Sequence, residues 1–390
     1  MRTLSGRNGR YACPVARAAA AAPRSREVSG VSHASSPIRV LDLFAGAGGL
    51  TCGFHAASDR FETVTAVEMD VDAAATYRQN FGDVVYHGSI QDWLATGQVP
   101  RADVIVGGPP CQGFSTLGKQ NVEDERNTLW HEYAKTIALA KPKYFVVENV
   151  ATFLKSKQYE DFLRETHGGK LLAAYRIQST VLNAADFGAP QARKRAVLIG
   201  HLATLPFPGF PEPTTPGAHL TVRQGLKGVR RSVTKTTLPA RNVAVGDRVL
   251  AGPFTSRELH LGRDYEPLSL ARFASIPPGG NRFDLPEALK ARCWVGHTSG
   301  SGDVMGRMHW DQPSVTIRTE FFKPEKGRYL HPEEDRAITH FEAARLQGFP
   351  DDFKWIGSKT SIARQIGNAV PIPLARAIGA HLVAAIDRES

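Results

Sequence analysis

The chain of 390 residues contains only four cysteines, Cys13, Cys52, Cys111 and Cys293, and no CxxC pair. That scarcity excludes a disulfide framework and a zinc ribbon, and it fits a reducing, cytoplasmic setting. Long apolar runs are missing too. Nothing approaches the ~18 uncharged apolar residues of a membrane span, so no membrane association is expected. Acid is nearly absent from residues 1–38, which hold six arginines and one carboxylate, Glu27. Residues 1–37 also lack apolar periodicity and read as a disordered basic tail; organellar transit peptides and read-through upstream of a start codon share this composition. No group of His, Cys, Asp and Glu has ligand spacing, so no metal is expected.

What is present is ordinary for a globular protein: 42% hydrophobic and 22% charged residues. The length is enough for two to three domains. The net charge of +10 is uneven. Besides the tail, the excess lies in residues 201–305, with thirteen Lys or Arg against eight acids, and the remainder is balanced. This distribution suits one lobe that meets a polyanion beside a neutral scaffold.

From Ile38 to Gly200 short β-rich runs alternate with helical patterns, the rhythm of a doubly wound, mostly parallel α/β sheet. Strands are predicted at 38–44, 61–67, 104–107, 144–148 and 196–200, and helices at 71–79 and 129–140. After Gly200 prolines cluster at Pro206, Pro208, Pro211, Pro213 and Pro216, and the βα rhythm stops until about residue 305. Helical patterning returns at 341–347 and 374–386.

Four segments carry chemistry. In VLDLFAGAGGL (40–50) a strand runs into a glycine turn and a helix, and Gly46, Gly48 and Gly49 allow close approach of a ligand. Thr51 stands where a dinucleotide fingerprint needs its third glycine, which argues against hydride transfer. Glu68, at the end of the second predicted strand, is placed to accept from ribose hydroxyls. In VIVGGPPCQGFS (104–115) an apolar strand ends in a glycine–proline turn presenting Cys111. A lone cysteine is more often a packing residue, but this polar, rigid setting suits a nucleophile. Gly113 and Phe114 follow where a zinc deaminase needs its second cysteine. YFVVENV (144–150) brings Glu148 to an adjacent strand tip, as an acid candidate or a surface carboxylate. Gln191-Ala192-Arg193-Lys194-Arg195 precedes the last predicted strand, with guanidinium forks suited to phosphate or a base carbonyl.

Together these segments resemble, in order, the motifs of the DNA (cytosine-5)-methyltransferase family of the bacterial restriction–modification type. Two later segments, RAITHFEAARLQGFPDDF (336–353) and RQIGNAVPIPLA (364–375), resemble the family's last two motifs. The resemblance implies a Rossmann-like S-adenosyl-L-methionine-dependent catalytic domain at 38–200, a smaller irregular target-recognition domain at 201–335, and a segment, 336–390, that returns to the catalytic domain. It implies methyl transfer from S-adenosyl-L-methionine to C5 of a flipped cytosine in duplex DNA. Cys111 would add to C6, Glu148 would act at N3, and Arg195 would hold O2. Arg193 and Gln191 match supports of the active-site turn, with Gln112, Ser115 and Gln191 matching residues on the DNA side. For the cofactor, Phe44, Ala45, Gly46, Gly48, Gly49 and Leu50 match the methionine end, Glu68 the ribose, and Met69 and Ile90 the adenine. Pro109, Leu129, Asn368 and Val370 match further contacts. Where the family has an acid before Ile90 this chain has Ser89, leaving Ser89 or Asp92 to meet the adenine amino group. The resemblance also implies a monomer associated with the bacterial nucleoid, and a cognate restriction endonuclease as functional partner. A tRNA cytosine-5 methyltransferase and a catalytically silent DNA-binding protein are the alternatives; intact Cys111, Glu148 and Arg195 argue against the second.

Overall fold

The computed structural model describes residues 36–110, 129–296 and 299–389. Its centre is a seven-stranded sheet built from β1 (Ile38–Leu43), β2 (Phe61–Glu68), β3 (Val85–His87), β4 (Val104–Gly107), β5 (Tyr144–Val150), β6 (Tyr175–Asn183) and β7 (Lys194–Leu202), in the order β3-β2-β1-β4-β5-β7-β6. Strands β4 and β5 are buried along almost their whole length, as expected of apolar runs covered by helices on both faces. The strand order reverses between β1 and β4, which opens a crevice at their carboxyl ends.

Three features differ from the predicted rhythm. Strand β3 is three residues long and carries too little pattern to be seen. Strand β6 is a half-exposed edge strand, YRIQSTVLN, whose polar residues hide the β signal. Strand β7 runs antiparallel to both β5 and β6. Only residues 184–193 join β6 to β7, too few for the crossover that a parallel pair needs.

Helices α1 (Gly49–Ala57), α2 (Val71–Phe81), α3 (Ile90–Ala95), α4 (Leu129–Ala140) and α5 (Lys157–Arg164) flank the sheet. Asp70 caps α2 by accepting from the Ala73 amide, and Gly82, at φ 88°, ends it. Beyond β7 lie the single-turn helix α6 (Val222–Gly225), the hairpin β8 (Asn242–Val245) and β9 (Arg248–Ala251), the short strand β10 (Phe254–Thr255) and α7 (Pro267–Ser275). The chain then returns through α8 (His340–Gln347), the short strand β11 (Lys354–Trp355), α9 (Lys359–Asn368) and α10 (Ile372–Asp387). Strand β11 pairs with β10.

Helix α10 packs against α1. A Cβ on Gly53 would lie 2.3 Å from the Ala375 Cβ, so glycine is what lets the two helices touch. Leu50, Phe54, Leu374, Ile378 and Leu382 form one core with Val40, Val104 and Val146 of the sheet. The carboxyl-terminal segment thus covers the sheet beside the glycine turn. Among the described residues no single helix is long and apolar enough to cross a membrane.

Candidate active site

The first half of the site is the turn after β1. Phe44 has a positive φ of 56°, a strained conformation for a non-glycine residue that costs about 1–3 kcal/mol. Gly46 follows at φ 55°, and its amide donates to Glu68 Oε2 at 2.8 Å. The Asp70 amide donates to Glu68 Oε1 at 2.7 Å, so the turn after β1 and the tip of β2 share one carboxylate. Burial pushes the Glu68 pKa up against these donors. No atom lies within 4 Å of where a Gly46 Cβ would stand, whereas a Cβ on Gly48 would meet the Phe81 ring at 2.3 Å. A Cβ on Gly49 would lie 3.1 Å from the Val370 carbonyl oxygen, which places the end of α9 against the turn. Ala45, Leu50 and Val370 are buried, Asn368 is exposed beside them, and Met69 is 72% exposed at the end of β2.

Phe44, Ile90 and Leu129 pack on one shared core cluster. Ser89 caps α3: its Oγ accepts from the Asp92 amide at 3.0 Å and donates to Asp92 Oδ2 at 2.7 Å. The Ser89 hydroxyl thus gives its proton to Asp92 and keeps one lone pair, while the exposed Asp92 carboxylate keeps further accepting capacity.

The second half lies at the tips of β4 and β5. A Cβ on Gly107 would come within 2.5 Å of the Leu43 carbonyl oxygen, and one on Gly108 within 3.1 Å of the Glu148 carbonyl oxygen, so both glycines are set by close approach of neighbouring backbone. Asn149 Nδ2 donates to the carbonyl of buried Pro109 at 2.9 Å, tying the glycine–proline turn to β5. This clamp was not singled out from the sequence, although the Asn follows the acid directly. Glu148 is 8% exposed. Arg195 Nε sits 2.9 Å from Glu148 Oε1, and Arg195 Nη1 donates to the Lys194 carbonyl at 2.8 Å. The ion pair is not aligned as a hydrogen bond, so among the described residues Glu148 Oε1 has charge compensation but no hydrogen-bond donor. Cys111, Gln112 and Ser115 lie outside the described residues.

Two expected site residues turn out to be internal braces. Arg193 is 3% exposed; its Nη1 donates to the Ile317 carbonyl at 2.8 Å, and both Nη1 and Nη2 donate to the Gly367 carbonyl at 3.1 Å. Burial, reinforced by the Arg195 charge, pushes its pKa down to about 9. Gln191 is fully buried. Its Nε2 donates to the Leu346 carbonyl and to Gln347 Oε1, and its Oε1 accepts from the Ile317 amide at 2.9 Å. The Gln191 side chain is thus turned inward and held by protein groups, where the sequence reading expected it on the DNA side. Sequence reasoning also passed over Asp42, a fully buried carboxylate in β1 that accepts from Thr51 Oγ1 at 2.7 Å beneath the glycine turn.

Residues 38–384 match the sequence profile of a family described as C-5 cytosine-specific DNA methylase. The chain belongs to this family of DNA methylases. Two Type II methyltransferases, M.NgoFVII of Neisseria gonorrhoeae and M1.HphI of Haemophilus parahaemolyticus, are each 35% identical to this methylase. The first match covers 89% of this chain and 87% of that protein, the second 87% and 84%. A solved DNA modification methyltransferase encoded within an E. coli prophage superposes with a TM-score of 0.68 at 25% identity, covering 90% of this chain and 99% of that one. The S. pombe Dnmt2 methyltransferase shares the fold, with a TM-score of 0.52 at 18% identity.

Proposed function

We propose that this DNA cytosine-5 methyltransferase modifies one short sequence in duplex DNA, with S-adenosyl-L-methionine as donor, as the modification enzyme of a Type II restriction–modification system. The observation that carries the reading is the Glu148–Arg195 pair at the β5–β7 edge, next to the glycine–proline turn that leads to Cys111. An opposed carboxylate and guanidinium suit the N3 and O2 edge of cytosine.

The residues around the glycine turn fit the donor. Gly46 leaves open space, Glu68 keeps lone pairs for ribose hydroxyls, exposed Met69 offers a soft face for adenine, and Asp92 offers an acceptor for its amino group. Bound there, S-adenosyl-L-methionine supplies an electrophilic methyl group. The protein makes cytosine able to take it. The Cys111 thiolate adds to C6, and the displaced electron pair moves toward N3, where a proton shared with Glu148 neutralises it. Arg195 holds O2 and keeps Glu148 oriented. C5 is then nucleophilic; after methylation, loss of its proton and expulsion of the thiolate restore the aromatic base. The reacting atoms are stacked inside a duplex, so the base is flipped out at a cost of about a few kcal/mol. In this arrangement residues 201–335 read the DNA, and residues 336–390 complete the catalytic unit.

The test is covalent trapping. Incubated with the methyl donor and DNA carrying 5-fluorocytosine at the methylated site, the protein is expected to form a denaturation-resistant complex, because fluorine cannot leave as the proton does. Cys111→Ser is expected to bind the same DNA without forming that complex. A Cys111→Ser protein that still traps or methylates would overturn the nucleophile assignment.

A further inference from the structure

The root of the irregular lobe carries a charged surface that the reaction does not use. Residues 213–246 contain no Asp or Glu but hold Arg223, Lys227, Arg230, Arg231, Lys235 and Arg241. All six are exposed, and Arg241 is paired with Glu258. Arg223, Lys227 and Arg231 rim a cavity of about 220 Å³ that Trp310, His331 and Glu342 also line. The Arg223 and Arg231 guanidinium carbons lie 5.2 and 5.6 Å from the Trp310 ring centroid, and Trp310 Nε1 donates to Glu333 Oε1 at 2.7 Å. The indole is thus already covered by cations and acts as a stiffener of the strip; it is not an open platform for a base.

The carboxylates nearby are accounted for. Asp311 binds Arg223 at 2.8 and 3.1 Å, Glu333 pairs with Arg231, and buried Glu342 is held by both terminal nitrogens of Arg336 at 2.8 Å. Among the described residues no carboxylate lies within ion-pair distance of Lys227, Arg230 or Lys235. These three are exposed, uncompensated cations on long side chains, suited to phosphate oxygens and unsuited to reading base edges.

The strip is tied to the catalytic strand. The Val222 and Arg223 amides donate to the Gln312 and Trp310 carbonyls at 2.9 Å. From there the chain runs to Ser314, bridged to Gln191, and to Ile317, which accepts from Arg193. The eight residues from Trp310 to Ile317 span at most about 25 Å.

We propose that Lys227, Arg230 and Lys235 form an exosite that grips the phosphates of duplex DNA flanking the methylated site, whatever the flanking sequence. This rests on the DNA-methylating function proposed above and divides the basic lobe into a phosphate-gripping root and the part that reads sequence.

The test compares the wild-type protein with the triple variant Lys227→Gln, Arg230→Gln, Lys235→Gln on two duplexes. One extends about ten base pairs beyond the methylated site on each side, and the other is trimmed close to it. Each lost phosphate contact flattens the plot of log affinity against log salt by about 0.9, so the triple variant is expected to bind the long duplex with a slope shallower by about 3. Its KM for that duplex is expected to rise tenfold or more at about 0.1 M salt, with kcat and melting temperature unchanged. On the trimmed duplex the two proteins should coincide. An unchanged slope on the long duplex, or an equal loss on the trimmed one, overturns the exosite. A wild-type protein that methylates neither duplex overturns the proposed function instead, so the two failures are distinct.

Discussion

Replacing Asp42 with Asn should make the protein more stable at pH 8 and leave it nearly unchanged at pH 4. Asp42 is fully buried in β1, held by Thr51 Oγ1 at 2.7 Å, and Thr51 Oγ1 also lies 2.7 Å from the Tyr77 hydroxyl. Its second oxygen has no hydrogen-bond partner among the described residues. Burial raises its pKa from 3.8 to about 7; the Glu68 charge adds to the rise, and the Thr51 hydrogen bonds oppose it. The folded state therefore holds a proton that the unfolded chain has released. The stabilisation is fully present below pH 3.8 and is lost as pH rises through about 7. Over that window the loss is at most roughly 4 kcal/mol. Asn stays neutral and keeps an acceptor for Thr51, so it escapes the loss. Urea unfolding at pH 5, 6, 7 and 8 measures it: the wild-type midpoint should fall with pH relative to the variant's, while the m-values stay equal. Parallel profiles, or a variant less stable than wild type at pH 8, would refute a raised Asp42 pKa beneath the glycine turn.

Other outcomes follow from the same geometry. Glu148→Gln should lower kcat by about 10²-fold or more while DNA affinity is retained, read from single-turnover methylation and equilibrium binding. Arg193→Ala removes the donors to two backbone carbonyls and should cost about 3–5 kcal/mol in urea unfolding; a cost below 1 kcal/mol would contradict the bracing role. Met69→Ala, at an exposed position, should raise the KM for S-adenosyl-L-methionine and leave the melting temperature unchanged.

The legible parts of this fold are those in which the pattern is local. Strands β1, β4 and β5 read clearly because burial on both faces makes them continuous apolar runs, and the glycine turns read clearly because Gly46 and Gly48 adopt positive φ. Strand β6 was hidden because an edge strand tolerates polar residues on its open face. The reversal of β7 depends on the length of a connection whose first strand, β6, carries no local β pattern. At the site, Arg193 and Arg195 look equivalent in the run QARKR, yet one faces Glu148 and the other is buried against Ile317 and Gly367. What separates them is a partner more than a hundred residues away, which no local spacing contains. The Ser89–Asp92 cap is the converse: both residues are local, but only the hydrogen-bond geometry shows that they bind each other.

The central claim is tested most directly by incubating the full chain with S-adenosyl-L-methionine carrying a labelled methyl group and plasmid DNA, with bulk tRNA alongside, and mapping the product by bisulfite sequencing. Label in 5-methylcytosine at one short recurrent DNA sequence, and none in tRNA, is the predicted result. Label in tRNA alone, or in neither nucleic acid, would contradict a sequence-specific DNA cytosine-5 methyltransferase.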